Sequence, residues 1–266
     1  MCFLSVGALL WPQGASAQLQ PYRAEYALRL GTAVNAPRVG SAVQDLALTC
    51  EGWHLRRDVK GELALSATWK LNVASKLDGE EPVAGDSFRY RTMQIQNGAE
   101  RETHGKVQRA GNEWKAEIVS PSGPAHSLLP SPTLMPVALI GRVIERLRSG
   151  PAAATFPALA FDAEGTGETF RIDVTPVSAS TLRSRRPADK PVEVSGKSWA
   201  AQMSFTPGHK PDEKPLFTIR ALVFDSGVLD RVTVDAPMAT VTADLQSLEM
   251  RKPPTCPPSP VSAKGF

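Results

Sequence analysis

Polar and apolar residues alternate with a period of two along much of this chain, and this pattern restricts its fold more than any other feature. Phe88, Tyr90 and Thr92 alternate with Arg89 and Arg91. The same alternation recurs in residues 22–30, 114–118, 170–174, 199–205, 217–223 and 241–245. Because successive strand side chains point to opposite faces, each segment predicts a strand. Strands with one buried and one solvent-exposed face are typical of antiparallel sheets. We therefore predict a mainly β, antiparallel fold.

Turn-forming residues are frequent between these segments. The chain contains 23 prolines and 20 glycines, which indicates many turns and short elements. Asp225-Ser226-Gly227 is predicted to be a hairpin turn, with residues 228–235 returning beside 217–223. Loops are predicted at residues 119–132, 149–157, 183–191 and 207–215, and the last two, which carry proline and mixed charge, are expected to be mobile.

One segment, residues 133–149, has helical periodicity instead. Its apolar residues recur about every 3.6 positions, Pro136 suits a first helical turn, and Gly150 can end the helix. This predicts a single amphipathic helix of about four turns. Its apolar side must be covered, and the concave side of the sheet is the expected cover. The side chains expected to pack there or to line a groove are Leu134, Val137, Ile140, Ile144 and Leu147.

The N-terminus predicts export. Residues 2–11 form an uncharged apolar run, residues 12–14 interrupt it, and Ala15-Ser16-Ala17 resembles a signal-peptidase site. We expect residues 1–17 to be a signal peptide and the mature protein to begin at Gln18 in the periplasm. The alternative is a buried N-terminal strand. The run is too short to span a bilayer, which takes roughly 20 residues, and no other segment qualifies. An integral membrane protein is therefore not expected.

Cleavage would remove Cys2 and leave Cys50 and Cys256. An even pair of cysteines in an exported chain predicts a disulfide, the alternative being two free thiols, which an oxidising periplasm disfavours. Trp53 follows Cys50 closely in the sequence Cys50-Glu51-Gly52-Trp53. We interpret it as a structural anchor beside the bridge, which is compatible with an ordinary core position.

No linker or internal repeat divides the chain. We predict one domain over residues 18–258 and a flexible tail over 259–266. The net charge of +3 is small, and basic residues are scattered apart from Arg183, Arg185, Arg186 and Lys190. A nucleic-acid binder would carry a denser basic stripe. The basic surplus predicts at most a weak preference for anionic surfaces.

Catalytic motifs are fragmentary. Gly196-Lys197-Ser198 approaches a nucleophile elbow but precedes a strand rather than a helix. Cys50 and His54 would make a nucleophilic pair only if the cysteine were reduced. The four histidines, among them His209, lack metal-site spacing. The adjacent carboxylates Glu80 and Glu81 are expected to be solvated. The sequence thus predicts no catalytic residue, metal or other cofactor, and a hydrolase acting on cell-wall substrates is the alternative.

The order of several short motifs resembles the EipB-type cell-envelope integrity proteins, periplasmic proteins of Alphaproteobacteria. The motifs run from Tyr22-Arg-Ala-Glu-Tyr26 through Cys50-Glu-Gly-Trp53 and Asp225-Ser-Gly-Val-Leu-Asp230 to Cys256, and the resemblance covers roughly residues 20–258. The resemblance implies a β-spiral or half-open barrel, a strongly bent antiparallel sheet with one helix. It also implies a Cys50–Cys256 bridge and a role in envelope integrity. The segment 131–136 and the chain near Ala236 depart from the family pattern.

Three functions follow as hypotheses. The first is a periplasmic protein that binds an envelope protein, or the acyl chain of a lipid or lipoprotein, in a groove between sheet and helix. The second is a scaffolding protein whose groove is filled by side chains such as Leu134, Ile140 and Ile144. The third is the cell-wall hydrolase.

Overall fold

The fold is a single, strongly bent 15-stranded sheet with one helix, seen in a computed structural model that describes residues 19–64, 70–150, 154–164, 167–186, 191–210 and 213–257. The predicted signal peptide and tail therefore lie outside the described residues. The strands are β1 (Tyr22–Leu30), β2 (Arg38–Leu48), β3 (Trp53–Ala64), β4 (Lys70–Glu81), β5 (Ser87–Gln96), β6 (Ala99–Ala110), β7 (Glu113–Ser120), β8 (Gly123–Leu129), β9 (Thr133–Leu134), β10 (Phe156–Phe161), β11 (Thr169–Pro176), β12 (Ser198–Pro207), β13 (Phe217–Phe224), β14 (Leu229–Ala236) and β15 (Ala239–Met250). The helix α1 spans Pro136–Ser149.

The strand order explains the barrel-like shape. The sheet runs β8-β7-β6-β5-β4-β3-β2-β1-β15-β14-β13-β12-β11-β10-β9, so the first strand pairs with the last. The two edge strands, β8 and β9, are consecutive in the chain and are separated only by residues 130–132. A three-residue connection keeps the edges close together. The sheet is therefore nearly closed, and the predicted half-open antiparallel barrel is confirmed, although β9 pairs with β10 in parallel.

The inner face of the sheet carries the core. In the first half of the chain, one row of directly paired residues crosses seven strands: Tyr22, Leu46, Leu55, Gly79, Tyr90, Gly105 and Ile118. A side chain at Gly79 or Gly105 would collide with the rings of Phe88 and Tyr90. Glycine thus lets these aromatic rings lie flat over the neighbouring strands.

The interior of the barrel is occupied by the protein's own side chains. The turn between β10 and β11 lies across the inner face, where Phe161 contacts Tyr90 with a ring-centre separation of 5.5 Å. Arg57 donates a hydrogen bond of 3.2 Å to the carboxylate of Glu164 in the same turn. A second cluster forms between α1 and strands β10–β13.

Three sequence predictions about elements are wrong in part. Residues 119–132 are not a loop, because β8 pairs along its length with β7. The helix begins at Pro136 rather than near residue 133, because Thr133 and Leu134 pair with β10 as β9. Residues 183–186 have no regular structure, but they are held by ion pairs rather than mobile.

These four residues, which we call the arginine strap, fasten β1, β14 and β15. Arg183 and Arg186 both pair with Asp244 of β15, and Arg185 pairs with Asp230 of β14 at 2.7 Å. Arg186 also donates to the carbonyl oxygens of residues 31 and 33, just after β1. The three arginines of the basic cluster therefore bind the protein's own carboxylates, whereas Lys190 and the rest of residues 187–190 lie outside the described residues.

Candidate functional site

A cleft of about 450 Å³ opens where the N-terminal half of α1 meets the sheet. Trp53 and Trp114 line it from the sheet, and Leu134 and Val137 line it from β9 and the first helical turn. The exposed side chains of Arg109 and Arg142 lie at its rim. An apolar lining with a few charged groups is typical of binding sites.

Glu81, the last residue of β4, positions the helix at this cleft. Its two carboxylate oxygens accept hydrogen bonds of 2.8 Å from the backbone N–H groups of Val137 and Ala138. Met135, at the N-cap position, supplies no side-chain cap, so Glu81 satisfies donors that would otherwise be orphaned. The carboxylate also interacts favourably with the positive end of the helix dipole.

Burial changes the acidity of this carboxyl group. Glu81 is only 3% exposed, and its desolvation raises its pKa to about 7, while the two backbone hydrogen bonds oppose that rise. The expectation that Glu80 and Glu81 are both solvated is therefore wrong for Glu81. Glu80 is exposed, because adjacent residues of a strand face opposite sides.

Trp53 connects the disulfide to the cleft. Cys50 and Cys256 are bonded, with their Cα atoms 5.5 Å apart. Thr49 folds the Cys50–Gly52 turn by accepting hydrogen bonds from the backbone N–H groups of Glu51 and Gly52. Gly52 has a φ of +151° and lies against the backbone of residues 81 and 82, where a Cβ atom would not fit. Trp53 is thereby held directly opposite Glu81 in the β3–β4 ladder.

The predicted helix stripe is divided between two places. Val137 is buried in the same cluster as Trp53 and Trp114, next to the cleft. Ile144 and Leu147 are buried in the second cluster, and Ile140 is half-buried against it. Leu134, predicted on the helix, lies half-buried in β9. The cleft and the filled interior thus share one helix.

The structure does not bring the catalytic candidates together. Ser198 begins β12, whereas His209 follows the end of that strand. A strand of this length spans roughly 30 Å at about 3.3 Å per residue. His54 lies on β3 and contacts Asp78 at 2.7 Å. Among the residues that the structure describes, no group of three or more His, Cys, Asp and Glu side chains is placed to hold a metal ion.

A larger cleft, of about 610 Å³, lies elsewhere and is lined mainly by charged side chains. Arg23, Asp45, Arg56, Asp78 and Arg91 occupy directly paired positions on β1 to β5 and alternate in sign. Cross-strand pairs of opposite charge stabilise sheets. We interpret this row as a stabilising feature of the outer face.

Two residues of the helix cleft have no signal in the sequence. Glu81 is 56 residues from the helix it caps, and adjacent carboxylates are usually solvated. In the sequence, Gly141 looks only like a glycine that destabilises a helix. In the structure, a Cβ atom at this position would have no heavy atom within 4 Å, so the space in front of it is open. Trp114 begins the alternating segment 114–118, which predicts a strand but not a cleft.

Comparison with known proteins identifies relatives of the fold. The family model described as EipB-like matches residues 13–252. A solved structure, a β-barrel-like protein of the domain of unknown function DUF1849 from Brucella abortus, superposes with a TM-score of 0.72 at 16% identity, covering 88% of this chain and 99% of that one. At this identity the likeness shows the fold alone. The search of curated proteins found no match. Among the described residues, no helix has the length and apolar character needed to cross a bilayer.

Proposed function

The chain belongs to the EipB-like family, and from that premise we propose that it supports cell-envelope integrity in the periplasm as a non-catalytic binding protein. Its partner is another envelope protein, which inserts an apolar side chain into the cleft between α1 and the sheet. The predicted signal peptide and the Cys50–Cys256 bridge support the compartment.

The observation that carries the proposal is the form of the cleft. Its volume of about 450 Å³ lies within the range of about 300–1,000 Å³ found for binding pockets. The inner face is occupied by α1 and the β10–β11 turn, which favours a partner bound at the surface over an acyl chain enclosed in the barrel. Arg109 and Arg142 at the rim favour a segment with acidic residues beside its apolar anchor.

Gly141 allows a sharp test, because it lies on the cleft wall with open space in front of it. Gly141→Leu should fill the cleft, and replacing glycine inside a helix should stabilise the protein by about 0.5–1 kcal/mol. Gly141→Ala is the matched control, since it gives the same helical gain with far less bulk.

Both variants would be expressed in a deletion strain of the native organism under detergent and cell-wall antibiotic stress. We expect Gly141→Ala to restore growth and Gly141→Leu to fail, although both proteins unfold at or above the wild-type temperature. Full complementation by Gly141→Leu would place the function outside this cleft.

The hydrolase alternative is tested at its own candidate residues. If the protein is non-catalytic, Ser198→Ala and His209→Gln should each complement the deletion strain fully, because neither residue lines the cleft and the two lie at opposite ends of β12. A folded Ser198→Ala protein that fails to complement would contradict the non-catalytic proposal.

A further inference from the structure

β8 forms one edge of the sheet and has an open side. It pairs with β7 alone, so one row of its backbone N–H and C=O groups has no strand partner in the described part of the chain. All side chains from Pro124 to Leu128 are exposed, so both faces of the strand are accessible. An accessible edge of this kind is a template for adding another strand.

Natural proteins commonly prevent such pairing by placing charged side chains, particularly lysine, on an edge strand, or by proline, bulges or short strands. β8 has the sequence Gly-Pro-Ala-His-Ser-Leu-Leu and contains no Lys, Arg, Asp or Glu. Its neighbour β7 carries Glu113, Lys115 and Glu117 on its exposed positions. The opposite edge, β9, has two residues and leads directly towards α1, so β8 is the longer open edge.

We propose that β8 pairs with β8 of a second copy of this chain, antiparallel, about a two-fold axis through His126 and perpendicular to the sheet. An antiparallel two-fold pair opposes residues that are equally far from the axis, which is the self-complementary form of a symmetric dimer. This inference does not depend on the proposed function.

The register brings exposed apolar groups together. Leu128 is 65% exposed and Val119 is 41% exposed. Val119 lies directly opposite Pro124 in the β7–β8 ladder. The proposed axis places Leu128 opposite the partner subunit's Pro124 and therefore beside the partner subunit's Val119. Because of the two-fold symmetry, this apolar cluster forms twice. It covers the exposed side chains of Leu128 and Val119 in each subunit.

The charges are compatible with the same register. Glu117 pairs with His126 across β7 and β8. At the axis, the two His126 imidazoles meet, and each is flanked by Glu117 of its own chain. Lys115 lies opposite Leu128 in the β7–β8 ladder, away from the axis. No carboxylate faces another carboxylate directly, and no ammonium group faces another. Pro124 has no N–H group, but it lies near the end of the paired segment, and the residues nearest the axis keep theirs.

The dimer can be tested by measuring the molar mass of the purified mature protein by light scattering after size-exclusion chromatography. The protein concentration is varied from about 1 to 200 µM. We expect a concentration-dependent dimer. Leu128→Lys and His126→Pro should each be monomeric, because one places a cation in the apolar cluster and the other removes an N–H group that faces the open edge. Met238→Lys is the matched control, since Met238 is 81% exposed in the β14–β15 turn and should leave the dimer intact.

Disulfide trapping tests the register. Opposed residues of an antiparallel pair have Cα atoms about 4.5–5.5 Å apart, within bridging range. His126→Cys should therefore give a covalent dimer on non-reducing gels. Val83→Cys, at a 68% exposed position in the β4–β5 turn, should not. A wild-type chain that is monomeric throughout the range overturns the proposal, as does a dimer that survives Leu128→Lys without trapping at residue 126. Protection of β8 only by a different envelope protein would likewise overturn self-pairing.

Discussion

At the scale of single residues, Glu81 links the disulfide, the cleft and the helix. Trp53 lies opposite it in the sheet, and Val137 and Ala138 donate to its oxygens. A carboxylate at a helix N-terminus is stabilised by the helix dipole, while burial penalises its charge. The pKa of about 7 shows that burial dominates.

This raised pKa predicts how stability depends on pH. The pKa rises from 4.5 to about 7 on folding, so between these values the folded protein holds a proton that the unfolded chain has released. The contribution of Glu81 to the free energy of unfolding is complete below pH 4.5. It is lost as the pH rises through 7, and the free energy of unfolding falls by up to about 1.4 kcal/mol per pH unit. Urea unfolding between pH 4.5 and 8 should show this decline in the wild type, and Glu81→Gln should remove it.

The adjacent residue provides the control for this measurement. Glu80→Gln alters an exposed carboxylate and should change stability by less than about 0.5 kcal/mol at any pH. Glu81→Ala should destabilise the protein at every pH by about 2–4 kcal/mol, because two buried N–H groups lose their acceptor. A Glu81→Gln protein that keeps the wild-type pH slope would assign the slope to other groups.

The scale of the element shows what sequence periodicity can and cannot predict. Strands such as β5 and β7 have clear alternation because, along much of each strand, one face is apolar and the other is charged. β8 lacks this contrast, since most of its side chains are exposed on both faces, and its residues look like a loop. In β2 and β3 the inner face includes Gln44 and Arg57, so polar residues point inward, where Arg57 donates hydrogen bonds to both Gln44 and Glu164. Only the fold reveals such pairs.

Helix α1 is expected to depend on its buried side more than on its intrinsic propensity. Ile144 is buried against β10–β13, so Ile144→Asp places an unpaired charge in the core and should cost several kcal/mol. Glu145→Asn changes the exposed neighbouring position and should cost less than about 1 kcal/mol. Chemical denaturation measures both. Equal, small effects would mean that the helix is not packed on the sheet.

The arginine strap predicts that loss of its buried carboxylate destabilises the protein far more than loss of a carboxylate from a surface ion pair. Asp244 is 4% exposed and receives Arg183 and Arg186, so Asp244→Asn leaves buried cations uncompensated and should cost about 3–5 kcal/mol. Asp235 pairs with Arg220 at the surface, and Asp235→Asn should cost less than about 1 kcal/mol. Trypsin should cleave the Asp244→Asn protein after the strap arginines sooner than it cleaves wild type. Equal sensitivity of the two proteins would show that Asp244 does not hold the strap.

At the scale of the whole molecule, the barrel is fastened at both ends of its central strand pair. β1 and β15 join the first half of the chain to the second. The arginine strap holds the end where β1 finishes, and at the opposite end Arg251 pairs with Asp45 of β2 at 2.5 Å, just before the chain reaches Cys256. The order of motifs along the sequence predicted the family and the bridge, but it contained no sign of the strap, whose carboxylate partners lie about 45–60 residues away.

The disulfide should therefore stabilise a fold that other contacts already define. The bridge joins cysteines that are 206 residues apart in the sequence. Closing a loop of that size lowers the entropy of the unfolded chain and stabilises the folded protein by at most about 5 kcal/mol. We expect the Cys50→Ala, Cys256→Ala protein to keep the wild-type circular dichroism spectrum, because Arg251 still pairs with Asp45 and its backbone N–H still donates to the carbonyl of Pro21. Its urea midpoint should fall, and its m-value should rise, because the unfolded chain without a cross-link exposes more surface. Loss of the native spectrum in the double variant would instead show that the bridge is needed to form the barrel.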